Sequence, residues 1–255
     1  MIRELRSAAE VRAACGDDDL VVWAAQGLRD GARAWALGEA VVAACPQVSR
    51  RDRLAVRGGA VHAAELVRHA LAELGPSYRP LGEAALMREV TARLDGLEVA
   101  GRFSWMSLET DLAGTAGADG TVGTVGDDGG VGWLEDDDMA QVGSLLAAEA
   151  PSSYAVPGLA GVRRWAGVRT GGELAAVAAD AWSAPTVGLL AGVATRARHR
   201  GTGLAGRVCR WVSRELVAVY GRAALMVDDD NPAAIRVYER LGYRRRRVAA
   251  CRAVG

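Results

Sequence analysis

A chain of 255 residues, half of them hydrophobic, can bury one large or two small cores. Its 31 basic residues, all arginine, balance 31 acids for a formal net charge of +0, which excludes the broad basic surplus of a nucleic-acid-binding protein. Cys15, Cys45, Cys209 and Cys251 are scattered without a CxxC pair or nearby histidines, so neither a disulfide framework nor a zinc site is expected.

The charged start Met1 to Arg6 leads into no long apolar segment, which predicts neither signal peptide nor membrane span and makes a cytoplasmic location the default. In chain order, a helix is predicted near Glu10 and a strand over Ala32 to Cys45. Arg53 to Arg57 then pass through Gly58-Gly59 into a helix that ends at Leu74, before the stop signal Gly75-Pro76. A helical stretch covers Leu81 to Leu94, and Phe103-Ser104-Trp105-Met106 closes this part as a strand. From Ala113 through Gly132 the apolar periodicity vanishes in favour of Gly, Thr, Ala and Asp, the composition of a linker or long loop.

Beyond that stretch, Asp136 to Asp138 precede Met139, Val142, Leu145 and Leu146, placed as cap and dipole partners of a helix. Asp17 to Asp19 and Asp228 to Asp230 also sit beside element ends, and no metal is required by any of the three. Arg163 to Val168 and Leu174 to Ala179 flank a Thr170-Gly171-Gly172 turn and read as a hairpin. A strand follows over Thr186 to Val193, then an arginine-rich turn, and then a helix in which Leu204, Val208, Val212 and Leu216 share one face. Ala223 to Val227 form the next strand, and Asn231 caps a helix with Pro232 in its first turn and Gly242 after its last. Arg244 to Arg247 read as a solvated edge strand, with contact to a ligand phosphate as the alternative.

The turn before the long helix carries the chemistry. Gly201 and Gly203 let backbone N–H groups approach a phosphate, and the helix beginning there aims its positive end at the same place. Six arginines lie between 196 and 214, a local basicity suited to a polyanion. Gly201-Thr202-Gly203-Leu204-Ala205-Gly206 satisfies the dinucleotide pattern GxGxxG, with Asp228 about twenty residues on. Polar residues Thr195 to Arg200 between strand and glycines, the late position, and the short remaining chain oppose that reading.

Arg200-x-x-Gly203-x-Ala205 and Asn231-x-x-Ala234-x-x-x-Tyr238-x-x-x-Gly242-Tyr243 occur in the order and at a distance that resemble the GNAT superfamily of N-acetyltransferases. The resemblance covers roughly the last 120 residues, with its specific motifs at 193–243. It implies an α+β GNAT fold, with a mixed, mostly antiparallel sheet flanked by helices. It further implies that acetyl-CoA, or another acyl-CoA, is the co-substrate, held by Val193, Thr195, Arg200, Gly201, Thr202, Gly203, Leu204, Ala205, Gly206 and Asn231. Tyr238, otherwise a core tyrosine sharing a face with Ala234, Ile235 and Leu241, would protonate the departing thiolate.

For a general base the motif offers nothing: Leu189 stands near a position where related enzymes often carry a carboxylate. Asp180 is the catalytic candidate, with Glu173 and His199 behind it and a water-mediated base, or none, as alternatives. The expected organisation is a degenerate GNAT-like half (1–112), a Gly-rich linker (113–132) and a catalytic half (133–255), because the element order of the first half repeats that of the second. Arg57-Gly58-Gly59-Ala60 lacks the loop spacing, so the first half is expected to brace the second. The expected activity is direct acetyl transfer to a primary amine of a small molecule or amino-acid derivative, by a monomer or homodimer. A protein N-terminus or lysine as acceptor, and a silent acyl-CoA-binding regulator, are the alternatives.

Overall fold

The computed structural model describes residues 1–109 and 130–254. Most of the stretch 113–132 therefore lies outside the described residues.

The first part consists of β1 (Arg3–Leu5), α1 (Ala8–Cys15), α2 (Asp19–Ala25), β2 (Arg33–Leu37), β3 (Ala40–Val48), β4 (Arg51–Arg57), α3 (Ala60–Leu74), β5 (Arg79–Glu83), α4 (Ala84–Thr91) and β6 (Leu97–Glu109). The second consists of β7 (Gly132–Trp133), α5 (Met139–Glu149), β8 (Val162–Thr170), β9 (Glu173–Ala181), β10 (Gly188–Thr195), α6 (Leu204–Tyr220), β11 (Arg222–Asp228), α7 (Pro232–Arg240) and β12 (Arg244–Ala253). Local chemistry sets several ends: Ser7 and Asp18 accept from backbone N–H groups three residues on, and Asn231 Oδ1 accepts from Ala234 N at 3.1 Å.

Two element boundaries differ from expectation. The apolar run 32–45 folds back on itself at Gly38-Glu39 as the β2–β3 hairpin. The front of the 81–94 stretch is strand, because pairing Leu81 in parallel with Ala55 buries it completely, a tertiary gain that overrides helical periodicity.

The described strands form one sheet in the order β1-β2-β3-β4-β5-β12-β6-β11-β10-β9-β8-β7. This order is unchanged when the list is reversed and β1–β6 are exchanged with β7–β12. The two parallel pairs, β4–β5 and β10–β11, exchange in the same way. The last strand of each part crosses over: β6 pairs with β11, and β12 pairs with β5. The two meet along ten residue pairs from Arg244↔Ser107 to Ala253↔Leu97. β12 is thus a central strand, but among the described residues only Val248 to Ala250 pair on both sides: Arg244 to Arg247 pair with β6 alone, and three of the four are exposed.

One core cluster spans both parts on the face covered by α1, α2 and α5. The opposite face holds two separate clusters, one under α3 and α4 and one under α6 and α7. Across the join, Trp23 Nε1 of α2 donates to the Trp182 carbonyl at 2.9 Å, and Arg222 Nη2 meets Asp17 Oδ1 at 2.8 Å. Asp18 is nearly buried, pairs with Arg57 at 2.7 Å and with Arg246, and caps α2 as well. Arg246 also meets Asp19 at 2.8 Å.

Burial alone would raise the Asp18 carboxyl; the Arg246 hydrogen bond and charge, the Val21 N–H and Arg57 overcome it and leave the group below its ordinary 3.8. A depressed folded-state value contributes stability that is complete above the unfolded value and is lost as pH falls through the lower one. Wild-type melting temperature should therefore drop below about pH 4. Asp18→Ala should cost about 3 kcal/mol near neutrality and weaken that acid dependence, as measured by thermal unfolding across pH.

Candidate functional site

Beyond a certain point β10 and β11 part. Their pairing runs through Gly188↔Ala223, Leu189↔Ala224 and Leu190↔Leu225, while β10 continues to Thr195 and β11 to Asp228. On its other side β10 keeps β9 as a neighbour, with a register shift between Ala191 and Ala194 that bends the strand. Residues 191–195 therefore present one backbone edge to a cleft instead of to a strand. Thr195 Oγ1, at the end of this edge, is buried and has no hydrogen-bond partner among the described residues.

The cleft leads into the arginine turn and α6. Ala197–His199 make one 3₁₀ turn, Thr202 Oγ1 donates to the His199 carbonyl at 2.6 Å, and Gly203 caps α6 with φ +84° and no side-chain hydrogen bond. Cβ atoms built on Gly201 and Gly203 would meet nothing within 4 Å. With open space beside both glycines and no side-chain cap, the N-terminus of this 17-residue helix is a ready anion cradle.

The corresponding turn of the first part is closed by its own residues. A Cβ on Gly59, the cap of α3, would lie 2.3 Å from Glu39 Oε1. The Glu39 backbone N–H, then His62 and then the Gly59 N–H hold that carboxyl below its ordinary range. In the described residues β4 stays paired with β5 from Arg53 to Val56, near its end at Arg57, so it leaves no matching open edge.

The sequence-derived site residues divide. Val193, Thr195, Gly201, Thr202, Gly203, Leu204, Ala205 and Gly206 line up along the cleft and the first turn of α6. Arg200 turns away: its Nη2 meets Glu149 Oε2 at 2.7 Å and its Nε reaches the Thr195 carbonyl at 3.3 Å. Glu149 also accepts from Ala197 N at 2.9 Å, so it staples the turn from α5. That role escaped the sequence reading, although an acid at a helix C-terminus, against the dipole, is a signal that something else holds it.

Asn231 is engaged as the cap of α7. Tyr238 is buried in the cluster that contains Leu190 of β10, Leu204 and Val208 of α6 and Val227 of β11. Its ring lies 6.0 Å from that of Tyr243, whose hydroxyl shares a 2.8 Å hydrogen bond with Ser213 Oγ. Burial pushes the Tyr238 phenol well above its ordinary value of 10.0, so it stays protonated through neutral pH.

Asp180 lies on β9 opposite Leu190, the last residue before the free edge. It is buried at the far end of α6, bonded by Ser183 Oγ at 2.5 Å and Tyr220 at 3.1 Å and paired with Arg164 at 3.4 Å. Tyr220 ends the helix that Leu204 begins, about 24 Å away at 1.5 Å per residue. Its oxygens are occupied, which suits a structural carboxylate rather than a base open to substrate. Glu173 is tied to Arg196 and Arg198. Among the described residues no group of three His, Cys, Asp or Glu could hold a metal ion, and no helix is long and apolar enough to cross a membrane.

Residues 166–253 match the model of the FR47-like protein family, a span holding β10, α6, β11, α7 and β12. No curated protein matches the chain in sequence. Among solved structures, a GNAT-family protein from Novosphingobium aromaticivorans is similar at 23% identity and TM-score 0.55, over 93% of this chain and 98% of that one. A GCN5-related N-acetyltransferase from Kribbella flavida is similar at 19% identity and TM-score 0.59, over 93% and 96%. Another from Sphaerobacter thermophilus gives 15% identity and TM-score 0.54, over 99% and 94%.

Proposed function

From a chain that has the fold of the GNAT superfamily of N-acetyltransferases, we propose an acyl-CoA-dependent N-acyltransferase that moves acetyl to a primary amine. The observation that carries this reading is the free edge of residues 191–195 running into an uncapped α6 N-terminus. A pantetheine arm can take backbone hydrogen bonds from such an edge, and Thr195 Oγ1 lacks the partner that a bound chain would supply. The pyrophosphate then meets the α6 N–H groups with no side chain in the way.

In the reaction, a neutral amine attacks the thioester carbonyl. A backbone N–H of the β10 edge stabilises the developing oxyanion, and Tyr238 gives its proton to the leaving sulfur. A water chain, rather than Asp180, takes the proton from the ammonium. The first part, with its turn filled by Glu39, braces the second as the product of a duplication whose last strands have crossed over. The acceptor is a small molecule or amino-acid derivative, and the protein works in the cytoplasm as a monomer or homodimer. Thiol release from acetyl-CoA, followed across a panel of small amines, amino acids and peptides, tests this. Amine-dependent release is expected for at least one small acceptor, while release with peptides alone would move the acceptor to protein termini or lysines.

A further inference from the structure

Between the two helix pairs of one sheet face lies a cavity that the proposed reaction does not use. The cluster under α3 and α4 and the cluster under α6 and α7 do not join, and the sheet between them carries charge instead of apolar side chains. The cavity measures about 710 Å³, within the range of small-molecule sites, and spans from the first turns of α4 across β12 and β6 to Asp229 beyond β11.

Arg88, Arg102, Arg245 and Arg247 line it, against Glu83 and Asp229. Arg245 is committed, to Asp229 at 2.8 Å and to Ser104 Oγ at 2.7 Å. Arg88, Arg102 and Arg247 make no ion pair among the described residues, although burial alone would raise the Asp229 carboxyl and the Ser104 and Arg245 hydrogen bonds, with the charges of Arg245 and Arg247, hold it below its ordinary value. In the β12–β6 register Arg247 faces Ser104 and Ala249 faces Arg102, so the two arginines are diagonal neighbours on one face, roughly 7–8 Å apart at the backbone. Like charges gathered this closely repel one another and favour a ligand that neutralises them. The α4 N-terminus, capped by no side chain, adds partial positive charge from the side.

We infer that this cavity binds a small polyanion carrying two or more phosphate or carboxylate charges, separately from the coenzyme turn. Guanidinium forks from the sheet floor and from α4 bridge such groups bidentately, which a single chloride cannot satisfy. The site straddles the β12–β6 seam where the two parts of the sheet meet, so occupancy should also raise the melting temperature.

Calorimetric titration with inorganic pyrophosphate and with citrate, on wild type, Arg102→Ala/Arg247→Ala, Arg88→Ala and Gly203→Glu, tests the site. Wild type should bind at least one probe: pyrophosphate alone marks a phosphate ligand, citrate alone a carboxylate one, and both mark recognition by charge. Binding should persist in Gly203→Glu and weaken more than tenfold in the double variant, in keeping with the loss of charged hydrogen bonds. Arg88→Ala should weaken it too, and all the arginine variants should keep wild-type acetyl-CoA binding. Silence from both probes would overturn the inference. So would binding that Gly203→Glu abolishes and the double variant retains, because the anion would then belong to the coenzyme turn.

Discussion

Tyr238→Phe is expected to lower turnover by about 10²–10⁴-fold while leaving the dissociation constant for acetyl-CoA close to wild type. Two features of its surroundings support so large an effect. The ring is buried against Tyr243 within the cluster that also holds Leu190, Leu204 and Val227, so removing one oxygen leaves the packing intact. The phenol is pushed well above 10.0 by burial, which keeps its proton available to a departing thiolate across the physiological range. It follows that Tyr238 causes no loss of activity as pH rises toward 10. A tyrosine that merely fills the core predicts the opposite outcome, with kcat unchanged and at most a shift in melting temperature. Steady-state kinetics together with a binding titration separate the two.

Gly203→Glu is expected to weaken acetyl-CoA binding by 100-fold or more with the fold retained, as judged by circular dichroism and melting temperature. The glycine adopts φ +84°, where a side chain costs about 1–2 kcal/mol, but a Cβ there meets nothing within 4 Å, so the strain stays local. What changes is the electrostatics. A carboxylate beside the first N–H groups of α6 occupies the donors that a pyrophosphate needs and repels its charge. The loss of two charged hydrogen bonds at about 1.5–3 kcal/mol each accounts for the factor. The molecule contains its own precedent: Glu39 reaches the N-terminus of α3 in this way. Unchanged affinity in Gly203→Glu would remove the phosphates from this turn.

The elements around the glycine turn before α6 were legible because each is signalled locally. Gly201 and Gly203, the fourfold repeat of α6, and the Asn231, Pro232 and Gly242 boundaries of α7 are all effects of near neighbours. What stayed hidden depends on distant partners. Arg244 to Arg247 read as an exposed edge and keep one side unpaired among the described residues, but the strand they open becomes central from Val248, and Arg246 finds Asp18 and Asp19 more than 200 residues away. The crossing of β6 and β12 has no local sign at all, since ladder pairing is indifferent to which strand supplies it. The surroundings of Asp180 were hidden for the same kind of reason: its place in β9 could be read, but its partners Arg164, Ser183 and Tyr220 could not. The closure of the first part's turn was half visible, in the missing spacing after Arg57; the carboxylate that fills it comes from the β2–β3 hairpin, which the continuous apolar run concealed.

Calorimetric titration of the purified protein with acetyl-CoA, with NAD as the control, tests the central claim most directly. The open β10 edge and the bare α6 N-terminus predict micromolar binding of acetyl-CoA and no heat from NAD. Binding of NAD alone would assign Gly201-Thr202-Gly203-Leu204-Ala205-Gly206 to a dinucleotide and contradict the acyltransferase account, and silence from both would leave the cleft without the ligand on which that account rests.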